Sequence, residues 1–593
     1  MIIRSAVKRS AYFDSVTLML AQREVRAQPG VEEAGMVLAT EANRALLREA
    51  GLLTPEAEAA GPDDLVVSVR ADSEDAAAAA LAFAERTLTQ RREVAASGGA
   101  YRPRTISAAR RILPGATLAA ISVPGRYAGT VAREALSEGL HVFLFSDNVS
   151  LETEVALKAM ASARGLLLMG PDCGTAHLGG VGLGFANQIR RGRVGLVAAA
   201  GTGLQEVASL IHRAGGGVSH AIGTGGRDIS EAVGGAAMLR GVAALAADPG
   251  TAVIVLIAKP PHPAVARRLL GAAQAAGKPV VLAFVGARAA SSGAVVGAET
   301  LEDAAAAAVR LAGEGAVEAA PSQTLPAQEA GRLLPGQQFL RGLFSGGTLC
   351  AEAQALLHPP LGRIFSNAPL RHEDRVDGTA AARGHTVLDL GADEFTQGRL
   401  HPMIDPSLRL QRLAQEAADP DVGVLLLDVV LGFAADRDPA GTLAPVVAEA
   451  RQRALDQGRY LCVVGSLCGT DEDPQDLHAQ EAALLEAGMV LEGSNARAAR
   501  LAGRVLVGRG ARHDGEADDA AAPLLEVDPE AITLPDPGEI PRLLSTPPQV
   551  INVGLELFAE SLAAQSVPVI QLDWRPPAGG KKHLQDLLER LEA

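Results

Sequence analysis

The sequence predicts an α/β protein: tandem doubly wound, parallel-sheet units of the Rossmann or flavodoxin-like kind, preceded by a small α+β module. Three observations predict it. Continuous apolar runs of strand length, such as TLAAISVPG, HVFLFSD, RVGLVAAAG, TAVIVLIA and VGVLLLDVV, alternate with helix-length segments, as strands covered by helices on both faces do. The 64 glycines beside only 3% aromatic residues fit many tight strand-to-helix turns rather than a β-sandwich. At 593 residues the chain also exceeds the roughly 250–300 residues at which single cores stop growing.

In chain order, residues 1–92 read as strand MIIRSAV, a helix from Ser15, strand GMVLAT, helix EANRALLREAG, strand DLVVSVRA and an alanine-rich helix from Ser73, a small βαβ-type module. RREVAASGGAYRPR reads as a linker. Residues 103–190 and 191–312 form two doubly wound units, and GEGAVEAAPSQTLPAQEAG is the linker to a third over 332–510. An acidic, proline-rich connector then leads to a strand–helix–strand–helix tail over 547–593.

The second and third units are copies. VAAAGTGLQEVASLI at 197–211 returns as FSGGTLCAEAQALL at 344–357, and LAADPGTAVIVLIA at 245–258 as EAADPDVGVLLLDV at 416–429. The offsets are 146 residues at the glycine turns and 171 at Asp248 and Asp419, so the later copy carries 25 extra residues between them.

Composition narrows the function. A net charge of −15 without a long basic block argues against nucleic acid as a partner. No apolar run reaches membrane-spanning length. The four cysteines are too few and too scattered for a disulfide framework or a paired CxxC zinc site, and no metal site is predicted. A cytoplasmic location fits.

Gly201, Thr202 and Gly203, with Gly346, Gly347 and Thr348 in the second copy, stand where a strand enters a helix. Glycine there permits close approach, exposed amides and the positive helix end attract an anion, and threonine caps. A tight structural turn asks for the same residues, but duplication suggests one anion shared by both turns. In GTGGRD, Gly225 and Gly226 suit a close backbone approach, and Arg227 offers a fork for carboxylate or phosphate. The corresponding loop of the other copy, GADEFTQGRLHPMID, offers Arg399 as an anion clamp and His401 as a proton shuttle. Cys173 and Cys468, each in a glycine turn, read as small packing residues or nucleophiles. Asp471 to Asp473 read as a helix start or a magnesium site.

These motifs resemble a known group. ATLAAISVPGRYAGTVAREALSEGL through LLLMGPDCG resembles the CoA-binding domain of succinyl-CoA synthetase α-subunits, and GRVGLVAAAGTGLQEV through DPGTAVIVLIA the ligase domain after it. VLDLGADEF through AADPDVGVLLLDVV is similar to the β-subunit ligase domain. AAGTGLQEV, GTGGRDISEAVGG, DEFTQGRLHPMID and CGTDEDPQ resemble the FdrA family, an acyl-CoA synthetase offshoot, over roughly residues 1–515. In the synthetases two ligase-domain helices point at a phosphohistidine; here the matching stretch, SSGAVVGAETLEDAA, has no histidine, and Lys259 stands where a glutamate is expected. No ATP-grasp domain and no first glycine-rich CoA turn are recognised. The resemblance therefore implies a subunit of a hetero-complex, with homo-oligomers also open. It would act on a small carboxylate and phosphate, or an acyl or carbamoyl phosphate, as in oxamate carbamoyltransferase of allantoin breakdown. A CoA-binding ligase subunit and a non-catalytic scaffold are the alternatives.

Overall fold

The computed structural model describes residues 1–593 except 10, 12, 14, 62, 63, 98–101, 316–324, 397–399, 509–527 and 577–593. Its four sheets follow the alternation of apolar runs and helices. The N-terminal module is a three-stranded antiparallel sheet, Ile2–Lys8, Leu65–Ala71 and Val31–Leu38 in that spatial order. Helices Ser15–Arg26 and Glu74–Ser97 complete its small core with Leu18, Met36 and Val69.

The two copies share one strand order. In the first, Val295–Ala298, Val280–Phe284, Val253–Ala258, Arg191–Ala198 and Val218–Gly223 lie side by side, all parallel. In the second, Val490–Glu492, Cys462–Cys468, Val422–Val430, Phe339–Phe344 and His385–Asp389 repeat it, with Ile364–Phe365 added at the edge from the 25-residue insertion. This is the doubly wound order in which direction reverses beside the first strand, and ligands bind outside the carboxyl ends at that reversal. Residues on either side of both reversals therefore become candidates.

One core runs through both copies, uniting Leu196, Val207 and Ile257 with Leu349, Leu426 and Val505. Buried glutamates at equivalent positions interlock them. Glu206, from the first copy, accepts from the Asn495 amide (2.9 Å), which opens helix Asn495–Gly508 of the second. Glu352, from the second, accepts from the Leu301 amide (2.7 Å), which opens helix Leu301–Ala312 of the first, and from Asn495 Nδ2 (2.8 Å). Each carboxylate satisfies amides that a helix start leaves without partners. Truncating either orphans a buried donor, so Glu206→Ala and Glu352→Ala are each expected to cost about 1–3 kcal/mol, read from the urea midpoint.

Segment 103–190 and the tail are woven into larger sheets. Hairpin Thr175–Leu178/Val181–Gly184 joins the first copy's sheet antiparallel to Val218–Gly223. The remaining strands, Leu118–Ile121, His141–Leu144 and Leu168–Met169, continue into Val550–Val553 and Val569–Gln571 of the tail, giving five parallel strands. The tail's last expected helix lies outside the described residues, as do residues 316–324 of the second linker, whose end falls in helix Leu325–Arg332. Among the described residues no helix is long and apolar enough to cross a membrane.

Candidate functional site

The carboxyl ends of three sheets open into a cavity of about 990 Å³, which the N-terminal module also walls. Gly201, Thr202, Lys259, Thr348, Asp389 and His401 all line it. The two glycine turns meet there. The Thr348 amide donates to Thr202 Oγ1 (3.3 Å), and a Cβ on Gly346 would fall 2.8 Å from the Thr202 methyl. A Cβ on Gly203 would fall 2.9 Å from the Thr348 methyl, so glycine at both positions is a condition of the contact.

The turns are not equivalent electrostatically. Neither helix start, at Ala200 or Gly346, has a side-chain cap. In the second copy, however, the Ser345 and Gly346 amides donate to the buried Asp428 carboxylate (2.9 and 2.8 Å), which also pairs with Arg409 (2.8 Å). The Asp389 carboxylate lies against Gly347, 2.6 Å from where a Cβ would stand. That turn is filled by the protein's own acids. In the first copy the Gly201, Thr202 and Gly203 amides have no acceptor among the described residues. Lys259 follows strand Val253–Ala258 directly, across the sheet reversal from Gly201, and makes no ion pair within 4 Å among the described residues. The expected symmetric cradle thus becomes one-sided: Gly201–Gly203 and Lys259 are open to an anion, while Gly346 is committed and Gly347 and Thr348 supply walls.

The other expected residues divide. Gly225 (φ 81°) and Gly226 line the cavity, and Gly225 packs so closely that a Cβ would meet Pro171 O at 2.1 Å. Arg227 does not line it: its guanidinium pairs with the buried Glu154 (2.8 Å) and donates to Val149 O (2.7 Å), which corrects its reading as a substrate clamp. Arg399 lies outside the described residues.

His401 lines the cavity but is not a ready base. Burial lowers its pKa to about 4, and Nδ1 accepts from the Met403 amide (3.2 Å). The ring is therefore neutral at pH 7 with its proton on Nε2, a hydrogen-bond donor. Two acids do titrate in range. Asp172 is raised to about 7, first by burial and then by Asp147 and Asp393, and Asp389 to about 6 by burial, with Lys259 opposing. Above pH 6 a charged Asp389 repels an anion at the Lys259 end, so affinity falls as pH rises. Sulfate, whose own charge is constant from pH 5 to 8, is expected to bind less tightly across that range in titration calorimetry, and Asp389→Asn to flatten the dependence.

Burial pushes the Cys173 thiol up to about 12 and that of Cys468 well above its usual value, so both are packing residues. Asp473 accepts from Asn187 Nδ2 (2.8 Å) and the Gln188 amide (2.6 Å), and Asp471 pairs with His212 (2.8 Å); the acidic run ties the second copy to the 103–190 segment and to the first copy. Three residues the sequence reading did not single out as site residues are Asp428, Asp389 and Asp172. A lone acid inside the apolar run VGVLLLDVV was the available signal for Asp428, because a buried charge requires partners.

Three stretches match family models: residues 1–103 AllF, heavy metal-associated domain; 189–286 the CoA binding domain; and 343–505 CoA-ligase. The second match falls on the first copy, downstream of the 103–190 unit to which the sequence resemblance gave that role. The chain is 43% identical over 512 residues to the uncharacterized protein YahF of Escherichia coli (strain K12), covering 85% of this chain and 98% of that one. This chain belongs to the YahF family. A second E. coli protein, the uncharacterized YahG, is 43% identical over 49 residues, 8% of this chain and 10% of that one. Among solved structures, the dinucleotide forming acetyl-coenzyme A synthetase 1 of Ca. Korarchaeum cryptofilum is 17% identical, covering 66% of this chain and 83% of its own at a TM-score of 0.23. ATP citrate lyase from Methanothrix soehngenii is 14% identical, at 69%, 83% and 0.27. In this YahF-family member the match to the CoA binding domain falls on the first copy and the match to CoA-ligase on the second.

Proposed function

We propose that this chain is a subunit of an acyl-transferring enzyme that holds free phosphate or an acyl phosphate at Gly201–Gly203 and Lys259, without a phosphohistidine. The observation that carries this reading is the pairing of three helix-start amides with a lysine at the sheet reversal, none of which has a partner within hydrogen-bond or ion-pair distance among the described residues. The histidine of the synthetases has no counterpart at Ser291–Ala305.

Given the FdrA-like motifs, the reaction we assign is oxalurate plus phosphate to oxamate plus carbamoyl phosphate. A phosphate oxygen attacks the ureido carbonyl carbon, the bond from that carbon to the amide nitrogen breaks, and the nitrogen takes a proton to leave as oxamate. The Nε2–H of His401 supports the carbonyl oxygen as charge develops on it. Asp172, titrating near 7, supplies the proton.

A second reading, a CoA ligase subunit, is favoured by the domain matches and the cavity volume. Against it stands the turn after Val550–Val553, which occupies the sheet position beside Leu118–Ile121. It has one glycine, Gly554, instead of a glycine fingerprint. The Leu555 amide there donates to Ser122 Oγ (2.8 Å), and Glu556 puts an acid at the helix start where a pyrophosphate would sit.

The test is an assay of the full chain with its co-purified partners, run in the direction of carbamoyl phosphate plus oxamate, alongside calorimetry with CoA. Oxalurate formation without CoA binding is the expected result. Micromolar CoA binding with thioester formation and no oxalurate would replace this reading with the second.

A further inference from the structure

The family description of residues 1–103 implies a heavy-metal site in the N-terminal module, and the residues do not fit one. Soft metals take thiolate or imidazole ligands, or for Cu(I) a set of thioethers, of which this module brings only Met19 and Met36 to the cavity. Residues 1–103 contain neither a cysteine nor a histidine. Among the described residues no group of three or more His, Cys, Asp or Glu is disposed to hold a metal ion.

What the module does instead is written in its inward face. Met19, Met36 and Leu38 line the 990 Å³ cavity together with Thr40 and Asn43. Helix Ser15–Arg26 is shared among three environments: Leu18 fills the module's own core, Leu20 packs on the core common to the two copies, and the half-buried Met19 faces the cavity. The Thr40 hydroxyl accepts from the Asn43 amide (3.3 Å) and Asn43 Nδ2 donates to Leu38 O (2.9 Å), so this polar pair is held by its own backbone. Thioether and leucine side chains make an adaptable, uncharged wall, opposite in character to the Gly201 and Lys259 end.

We infer that the N-terminal module is the substrate-binding wall of the reaction cavity, taking the uncharged acyl part of an acyl phosphate whose phosphoryl end lies at Gly201 and Lys259. This rests on the reading of Gly201 and Lys259 as an anion site. The module thereby sets which acyl donor is accepted.

The probes are inorganic phosphate and phenyl phosphate, an unreactive anion with an apolar body, applied to the full chain. Both are expected to slow amide exchange at Gly201–Gly203. Phenyl phosphate alone is expected to slow it across Val31–Leu38 and to bind about tenfold more tightly, a difference that the uncharged polar variant Met19→Asn abolishes while leaving phosphate affinity within about threefold. Protection at Gly201–Gly203 without any at Val31–Leu38, and equal affinity for both anions, would overturn the wall and leave the anion site standing. No protection at Gly201–Gly203 by either anion would remove the anion site and the wall with it. Stoichiometric binding of Cu⁺ under reducing conditions, lost in Met19→Leu and Met36→Leu, would restore the metal-carrier role in its place.

Discussion

Lys259→Met is expected to lower kcat/KM for phosphorolysis by about 10²–10³, the usual cost of deleting one oriented charge-stabilising donor from an enclosed site. Lysine at this position makes no direct ion pair with the protein among the described residues, but it holds down the pKa of the buried Asp389. That pKa is expected to rise above about 6 when the charge is removed, so the acid stays neutral rather than unfolding the site. Methionine keeps the length and the apolar stem. Lys259→Arg retains the charge on a larger, planar head and is expected to recover part of the loss. Steady-state kinetics against phosphate, with phosphate binding measured separately, distinguishes the roles. A variant that binds phosphate as the parent does and turns over normally would remove Lys259 from the site.

Asp428→Ala is expected to have the largest effect on stability, about 3–5 kcal/mol, because it leaves a buried cation without its counter-charge. The carboxylate is fully buried, pairs with Arg409 and accepts from the Ser345 and Gly346 amides and the Ser345 hydroxyl, so four donors lose their acceptor together. Urea unfolding of the full chain reads the loss as a lower midpoint. Asp428→Asn keeps one acceptor oxygen and is expected to fall between. The double variant Asp428→Ala with Arg409→Leu is expected to regain part of the loss, since removing both charges costs less than stranding one. A double variant no more stable than Asp428→Ala would show that the carboxylate acts through the amides alone.

The parts of this protein legible in its sequence are those that depend on local patterning. The buried parallel strands announce themselves as unbroken apolar runs, and the meeting of Thr202 with Thr348 follows from a duplicated turn. Three features depended on what comes together across the chain. The neutrality of His401 comes from burial and the Met403 amide, neither of which periodicity encodes. Arg227 was drawn as a clamp from its place in GTGGRD, but Glu154 of another unit holds it away. The pairing of Val550–Val553 with Leu118–Ile121 has no signature in either segment, since parallel strands carry no register marks of their own. Lys259 was visible only as an odd residue at a position where a carboxylate is expected.

That last pairing sets the order in which the chain can finish folding. Thr117 and Gln549 hydrogen-bond across 432 residues of sequence, and Leu118–Ile121 lies between a partner made soon after it and one made more than 400 residues later. At about 5–20 residues per second, the early three strands wait tens of seconds with one edge open. During that interval the nascent chain carries an exposed strand edge while the sheets of the two copies, whose strands are all made by residue 492, assemble beside it with the face that Ile540, Leu543 and Leu544 later cover still open. Translation rate and chaperone supply therefore act on this protein through one unpaired strand edge and the apolar face of helix Ala236–Ala247 beside it.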